Sequence, residues 1–297
     1  MKTEGDTVML TDEKGNKWYK GNLHTHTSLS DGRLSPDEVI SMYRRGGYDF
    51  LALTDHWKLS ETIEDKDFLL LSGCEYDTGQ NAKDGIFHIV GIGMQEAPCV
   101  KKEPGLAPQE IVNKIKEAGG IAILAHPAWS MNRPESVLQL EGLAGTEIYN
   151  TVSGKPWNVR PYSGWFVDAL AVDGREVPCF ASDDAHFYNG DQMKSYIMVR
   201  ADSLTRESIL SSIRRGDFYA TQSPELYVSR VDDVIHVRCS PVSEVIFFSD
   251  TVYADDRVVT GNEIREAVYR IRPSDTFIRV ELADANGRMA WSSPIRI

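Results

Sequence analysis

Long apolar runs are missing from this sequence. No stretch approaches the roughly 18 consecutive apolar residues that a membrane-spanning helix needs. The first ten residues, MKTEGDTVML, also lack the basic and then apolar layout of a secretory signal. We therefore expect a cytoplasmic protein with no membrane partner, although a signal peptide that had been removed would leave no trace in the remaining residues.

Cysteine is also scarce. The chain has four cysteines, Cys74, Cys99, Cys179 and Cys239, and no two of them form a CxxC pair. This scatter indicates neither a zinc ribbon nor a disulfide framework. Isolated thiols that pack as small apolar side chains are the expected outcome.

Positive charge is in deficit. The chain carries 32 Lys and Arg residues against 44 Asp and Glu residues, a formal net charge of −12. The resulting field repels polyanions, which argues against an extended nucleic-acid groove and favours small substrates. Bound divalent cations would offset this charge locally, so a small anionic phosphate remains a possible substrate.

Length and composition indicate a globular chain of two domains. With 297 residues, 41% of them hydrophobic and 26% charged, the sequence suffices for one large and one small domain. Residues 1–223 alternate apolar runs with amphipathic stretches, which predicts an α/β domain around a mostly parallel sheet. Residues 224–297 hold short alternating segments separated by turn-like pairs, which predicts a small antiparallel β-sandwich.

Start and stop signals bound three predicted helices. A Ser-Pro pair followed by two acids, and a closing Gly-Gly pair, predict a helix over 35–45. The same reasoning predicts helices over 108–118 and 204–215, each ending before a glycine. In the C-terminal part, only 263–267 has any helical periodicity.

Six of the seven histidines lie at or just after the ends of predicted strands in the first domain. The strand ends of a parallel α/β barrel converge on one face, so distant residues meet there. His24 and His26 are two residues apart, a spacing that points both imidazoles to one side of a strand. The segments TDH (54–56), GCE (73–75), AHP (125–127) and DAH (184–186) follow apolar strands in the same way. The pattern predicts a metal site assembled from distant residues.

The residue types indicate which metals and which chemistry to expect. Mixed imidazole and carboxylate ligands suit zinc, manganese or iron(II), whereas calcium and magnesium prefer oxygen ligands. We expect two or three divalent ions. Such ions lower the pKa of a bound water, polarise a phosphoryl group and stabilise the leaving oxygen, which favours hydrolysis of a phosphate ester through a metal-bound hydroxide.

Six segments, NLHTHTSLSDG, LALTDH, GCE, FHIVG, AHP and SDDAH, resemble the successive motifs of the polymerase and histidinol phosphatase (PHP) superfamily. They follow the family's order over about 165 residues. The resemblance implies a distorted (β/α)7 barrel with metals at its C-terminal face and phosphoesterase activity. It also implies nine metal ligands: His24, His26, Asp31, His56, Glu75, His88, His126, Asp184 and His186.

The family pattern also divides these ligands among three metals: His24, His26, Glu75 and Asp184 for the first, Glu75, His88 and His126 for the second, and Asp31, His56 and His186 for the third. Glu75 would bridge the first two. The attacking water would be held at the metals by Glu75, His56 and Asp184. Asp31 stands where many members carry histidine, which puts the occupancy of the third site in question.

The C-terminal part carries a second resemblance. GDFYATQSPEL and the β-rich segment ending in MAWSSPIRI are similar to PHP proteins with an appended immunoglobulin-like domain. That subgroup is functionally mixed, so three functions stay open. The first is hydrolysis of a small phosphomonoester or nucleotide-like phosphodiester, with phosphate as product; the second is hydrolysis of a carbamate or carboxylic ester. The third is a non-catalytic, metal-stabilised binding module.

Residues after the strand EIYN are candidates for substrate contact. Asn150, Lys155 and Arg160 could bind a phosphate, although loops are usually polar without any such role. Trp129, Trp157 and Trp165 could form the wall of a pocket, although packing in a core or at its rim is the commoner fate of tryptophan.

Four further polar residues have competing interpretations. Asp55 precedes His56 and is expected to support the ligands rather than bind metal. Asp183 and Asp184 are adjacent, so their side chains are expected to point to opposite faces of an extended chain. Asp184 is preferred as the metal ligand because its two-residue spacing to His186 matches the spacing of His24 and His26. His88 could instead be a half-buried strand residue that binds no metal. His236, on an alternating strand of the second domain, is expected to be structural.

Overall fold

The structure, a computed structural model, describes residues 10–11, 15–79 and 85–297. Residues 1–9, which belong to the predicted first domain, lie outside the described residues. Among the described residues, no helix is long and apolar enough to cross a membrane.

The described part of the chain has six helices: α1 (Pro36–Arg45), α2 (Pro108–Glu117), α3 (Pro127–Ser130), α4 (Pro134–Leu138), α5 (Gly164–Val172) and α6 (Arg206–Arg214). Ser35 caps α1: its hydroxyl accepts from the Glu38 N–H, and the Ser35 N–H donates to the Glu38 carboxylate at 2.8 Å. All three predicted helices are confirmed to within two residues. The helix α5 is buried along most of its length, so it lacks the two-faced pattern that would have given it clear bounds.

The strands are β1 (Leu10–Thr11), β2 (Lys17–Asn22), β3 (Phe50–Ala52), β4 (Ile63–Glu64), β5 (Leu69–Leu71), β6 (Gly73–Thr78), β7 (Phe87–Ile92), β8 (Ile121–Leu124), β9 (Leu143–Asn150), β10 (Cys179–Ser182), β11 (Tyr196–Arg200), β12 (Phe218–Thr221), β13 (Leu226–Val231), β14 (Val234–Phe248), β15 (Val258–Arg270), β16 (Phe277–Ala283), β17 (Met289–Trp291) and β18 (Ile295–Arg296). Segment 263–267 lies inside β15, so its weak helical periodicity does not produce a helix. Cross-strand pairing to β14 outweighs its weak helical period.

The strands that carry the candidate ligands form two sheets. In one, β2, β3 and β5 pair in parallel; in the other, the order is β10-β9-β8-β7-β6, with β8-β7 and β7-β6 antiparallel. Isolated parallel bridges, Thr25 with Ala185 and His56 with Glu75, connect the two sheets. The α/β class is therefore confirmed, and the closed (β/α)7 barrel stays a prediction.

The C-terminal strands continue the larger sheet. β17 pairs with β12, so that Trp291 lies opposite Ala220 and is fully buried in the core between the sheets. A second core fills the space among β13, β14, β15 and β16. Arg279 of β16 is fully buried and makes a two-pronged ion pair, at 2.8 and 2.9 Å, with Asp168 of α5. A separate β-sandwich and a boundary at residue 223 stay predictions.

Candidate metal centre

Strand geometry brings all nine predicted ligands to one rim of the fold. His24 and His26 follow β2, His56 follows β3, His126 follows β8, and Asp184 follows β10. These strands run in the same direction within their parallel pairs, so their ends converge.

Glu75 and His88 reach the rim differently, from inside the antiparallel strands β6 and β7. His88 pairs with Asp77, so Glu75 is its diagonal neighbour on the same face of the sheet. The His88 Nδ1 atom lies 2.7 Å from Glu75 Oε1. His88 is partly buried on β7, and this contact places it in the same cluster as Glu75.

Glu75 lies at the centre of the cluster. Its Oε1 atom faces His88 and the Nε2 atom of His126, which is 3.5 Å away. Its Oε2 atom lies 3.3 Å from His24 Nε2, 3.1 Å from His26 Nε2 and 3.4 Å from His56 Nδ1. One carboxylate thus faces two sets of imidazoles with its two oxygens, which is the arrangement that a bridging ligand requires.

Asp184 adds a second shared carboxylate. Its Oδ1 atom lies 3.2 Å from His24 Nε2, 3.1 Å from His26 Nε2 and 3.5 Å from His186 Nδ1. The neighbouring Asp183 points elsewhere: it accepts hydrogen bonds from the Tyr43 hydroxyl and from three backbone N–H groups at 2.7 to 2.8 Å. The Asp-x-His spacing therefore selected the aspartate that faces the cluster.

Asp31 completes the outer edge of the cluster and is half exposed. Its Oδ1 atom lies 3.2 Å from His26 Nδ1, and its Oδ2 atom lies 3.6 Å from His56 Nε2 and 3.5 Å from His186 Nε2. The group expected for a third metal therefore gains His26 as a neighbour. Because the two nitrogens of His26 face different carboxylates, its ring lies between two of the groups.

The spacing of these atoms fits cations better than a network of direct hydrogen bonds. Two ligands about 2.1 Å from a tetrahedral ion lie about 3.4 Å apart. Three sets of potential ligand atoms each fall within 4.8 Å of one another: His24, Glu75 and His126; His24, His26 and Asp184; and His26, Asp31, His56 and His186. Among the described residues, the buried atoms Asp184 Oδ1 and His56 Nδ1 have no hydrogen-bond partner. Unpartnered buried atoms of this kind are costly unless an ion satisfies them.

Burial and charge act against each other at the rim. Burial opposes protonation of His24, but the carboxylates of Asp184, Glu75 and Glu147 outweigh it and raise the pKa of this imidazole well above its usual value. Burial likewise opposes ionisation of Glu75, yet the imidazoles of His24 and His88 hold its pKa well below the usual range. Burial lowers the pKa of His56, which favours the neutral imidazole that binds metals.

The ligands are oriented by side chains behind them, and the most important of these, Glu147, was not singled out in the sequence. Glu147 is buried and accepts from His24 Nδ1, the His126 N–H and Asn150 Nδ2, each at 2.8 Å, and from the Ser182 hydroxyl. An acid inside an otherwise apolar strand was the available signal, since buried acids require partners.

Asp55 has the supporting position expected for it. Its carboxylate accepts from the Thr27 N–H at 2.8 Å and the Ser30 hydroxyl at 2.6 Å, which holds the loop between His26 and Asp31.

Backbone conformation at two ligands departs from the ordinary. His126 has φ 28° and Asp184 has φ 52°, a region that few residues other than glycine adopt. Each turns the chain sharply at the end of its strand. Strain of this kind persists where the surrounding structure holds it, and it is concentrated at functional sites.

The candidate substrate residues are not equivalent. Asn150 is fully buried, and its amide donates to Glu147 and, at 3.2 Å, to Asp184, so it positions acids. Lys155 and Arg160 are exposed in the loop that follows β9. Trp129 packs against His126, with ring centroids 4.9 Å apart, and thus walls the cluster.

His236 lies away from the metal groups. It is exposed on β14, where its backbone pairs with Ser229 and Val268. No described cluster of potential ligands includes it.

Comparison with known proteins supports the fold. The chain resembles the crystal structure of a two-domain protein from Bacteroides vulgatus that contains a predicted PHP-like metal-dependent phosphoesterase; the match covers 98% of this chain and 100% of that chain, with a TM-score of 0.56 and 15% identity. A weaker likeness to an amidohydrolase from Chromobacterium violaceum covers 58% of this chain and 89% of that one, with 19% identity and a TM-score of 0.41.

Sequence comparison adds one relative. An uncharacterized protein of Methanocaldococcus jannaschii is 28% identical over 144 residues, which is 44% of this chain and 81% of the relative. No protein-family model matches the chain. The likeness extends over the full length of the two-domain structure, so the chain shares the fold of that protein.

Proposed function

We propose that this protein hydrolyses a small phosphomonoester, or a nucleotide-like phosphodiester, with divalent zinc, manganese or iron held at the rim. The observation that carries the proposal is the position of Glu75, whose two oxygens face five imidazoles contributed by four segments of the chain. The similar two-domain protein from Bacteroides vulgatus contains a predicted phosphoesterase, which supports the same activity.

The charge of the site supports an anionic substrate. Six imidazoles and three carboxylates, those of Asp31, Glu75 and Asp184, make up the predicted ligand set. Divalent ions would offset the charges of these carboxylates and of Glu147, which lies 2.8 Å from His24, and each ion would offer a positive centre to a phosphate oxygen. A chain of net charge −12 could then still bind a phosphate ester at this site.

Different residues would hold the metal ions and orient the metal ligands. His24, His26 and Asp184 would hold one ion, and Glu75 would share it with a second ion held by His88 and His126. Divalent ions supply an acidified water and polarise a phosphoryl group when bound. Glu147 and Asn150 keep His24 and Asp184 in place through their hydrogen bonds, and Trp129 excludes water from one side of His126.

A comparison of two substrate classes tests the proposal. Purified protein supplied with zinc, manganese or iron(II) is expected to hydrolyse 4-nitrophenyl phosphate faster than 4-nitrophenyl acetate or a nitrophenyl carbamate. His26→Ala is expected to lose the activity, and the matched variant His236→Ala, outside the site, to keep it. Faster turnover of the carboxylic ester or the carbamate would replace the phosphoesterase with the second candidate, and inertness of the metal-loaded protein toward all three would favour a binding module.

A further inference from the structure

A cavity of about 700 Å³ is lined in part by the loop that carries Asp184 and His186. It lies between the loop after β9, which includes Thr151, Lys155 and Trp157, and the loop after β10, which includes Asn189 and Lys194. Nothing in the proposed reaction uses this space.

Short connections join the cavity to the centre. Thr151 directly follows Asn150, whose amide donates to Asp184 at 3.2 Å. Asn189 lies three residues beyond His186, a separation of at most about 11 Å between Cα atoms. The indole of Trp157 stacks on Phe187, the neighbour of His186, with ring centroids 6.1 Å apart and planes 4° apart. The cavity lining is therefore connected to residues that contact or adjoin the candidate ligands.

The cavity is positive, in contrast to the chain as a whole. Lys155 and Lys194 both line it, and none of the described lining residues is an aspartate or a glutamate. Within the described part of the chain, neither ammonium group forms an ion pair. Each ammonium group offers three donors and no acceptor, so the two lysines are suited to an anion. Trp157 and the prolines beside it supply an apolar wall for a carbon skeleton.

We propose that this cavity binds a second anionic group of the substrate, a carboxylate or a phosphate, at the far end from the phosphate that is hydrolysed. The inference rests on the proposed phosphoesterase function and narrows its substrates to phosphate esters that carry two separate anionic groups. Lys155 and Lys194 are the residues that would confer this preference.

A matched pair of substrates tests the inference: 6-phosphonooxyhexanoate and its neutral amide, 6-phosphonooxyhexanamide. Their flexible chains reach the same distance and their leaving alcohols are alike, so they differ only in terminal charge. The wild type is expected to favour the carboxylate by about tenfold in kcat/KM, the effect of two partly screened ion pairs. The ratio is expected to fall toward one in the double variant Lys155→Met/Lys194→Met and in high salt.

Controls keep the outcomes apart. Lys66→Met changes an exposed lysine elsewhere and must leave the ratio intact. Equal kcat/KM for the two substrates in the wild type, or a preference that survives in the double variant, would overturn the cavity proposal while leaving the phosphoesterase standing. If neither ester is hydrolysed, the phosphoesterase fails. In that case, calorimetry measures the binding of 7-phosphonoheptanoate and of its amide to test the cavity proposal separately. Equal affinities for the two compounds would refute the cavity proposal.

Discussion

Replacing Glu147 with glutamine tests whether the side chains behind the ligands control metal binding. The change keeps the size of the side chain and alters only its charge and hydrogen bonding. In the native protein, His24 and Ser182 donate to Oε1, and the His126 N–H and Asn150 donate to Oε2. Glutamine has one acceptor oxygen and one NH2 donor, so whichever way it turns, its NH2 group faces two donors.

The size of the effect follows from those contacts. A hydrogen bond to a buried charged group contributes about 1.5 to 3 kcal/mol, and one such bond orients His24. Loss of a partner that orients a metal-binding histidine typically costs about 10- to 100-fold in metal affinity or activity. We expect Glu147→Gln to fall in that range for both quantities.

The assay is a competition for zinc between the protein and a chromogenic chelator, with kcat and KM for 4-nitrophenyl phosphate measured in parallel. The melting temperature of the metal-free protein separates a loss of ligand orientation from a general loss of stability. Glu135→Gln, an exposed change on α4, is the matched control. A metal affinity within twofold of the wild type would refute the reasoning.

Three other predictions have definite expected outcomes. Glu75→Ala and His26→Ala are each expected to lose activity and at least one metal by elemental analysis, and an unchanged metal count in both would contradict the assignment. Arg279→Met leaves the carboxylates of Asp168 and Glu281 without their ion-pair partner. This change is expected to lower the free energy of unfolding by about 3 to 5 kcal/mol in urea titrations. A loss below about 1 kcal/mol would contradict this prediction. Neighbouring acids raise the pKa of His24, so a metal ion that binds there must displace a proton. Calorimetry is therefore expected to show that metal binding releases protons and that the metal affinity falls as the pH is lowered. A metal affinity that does not depend on pH would argue against binding at His24.

Local chemistry explains which parts of the fold could be predicted. The helix α1 has a serine cap, a proline in its first turn and a glycine stop, all of which act within a few residues of sequence. The helix α5 lacks such signals because it is buried on most sides, and segment 263–267 became a strand because β14 pairs with it. Tertiary contacts override local preference in both cases.

The sequence by itself indicated which residues are candidate metal ligands and that most of them follow strands, whereas Glu75 and His88 lie inside β6 and β7. It also determined that Asp184 rather than Asp183 faces the cluster, because side chains alternate along an extended chain. Only the tertiary structure decided that Glu147 stands behind His24, that the buried Asn150 donates to Glu147 and Asp184, and that two lysines from different loops share a cavity. Those relations join residues that are tens of residues apart in the chain, and their distances depend on how strands and loops pack rather than on any local pattern.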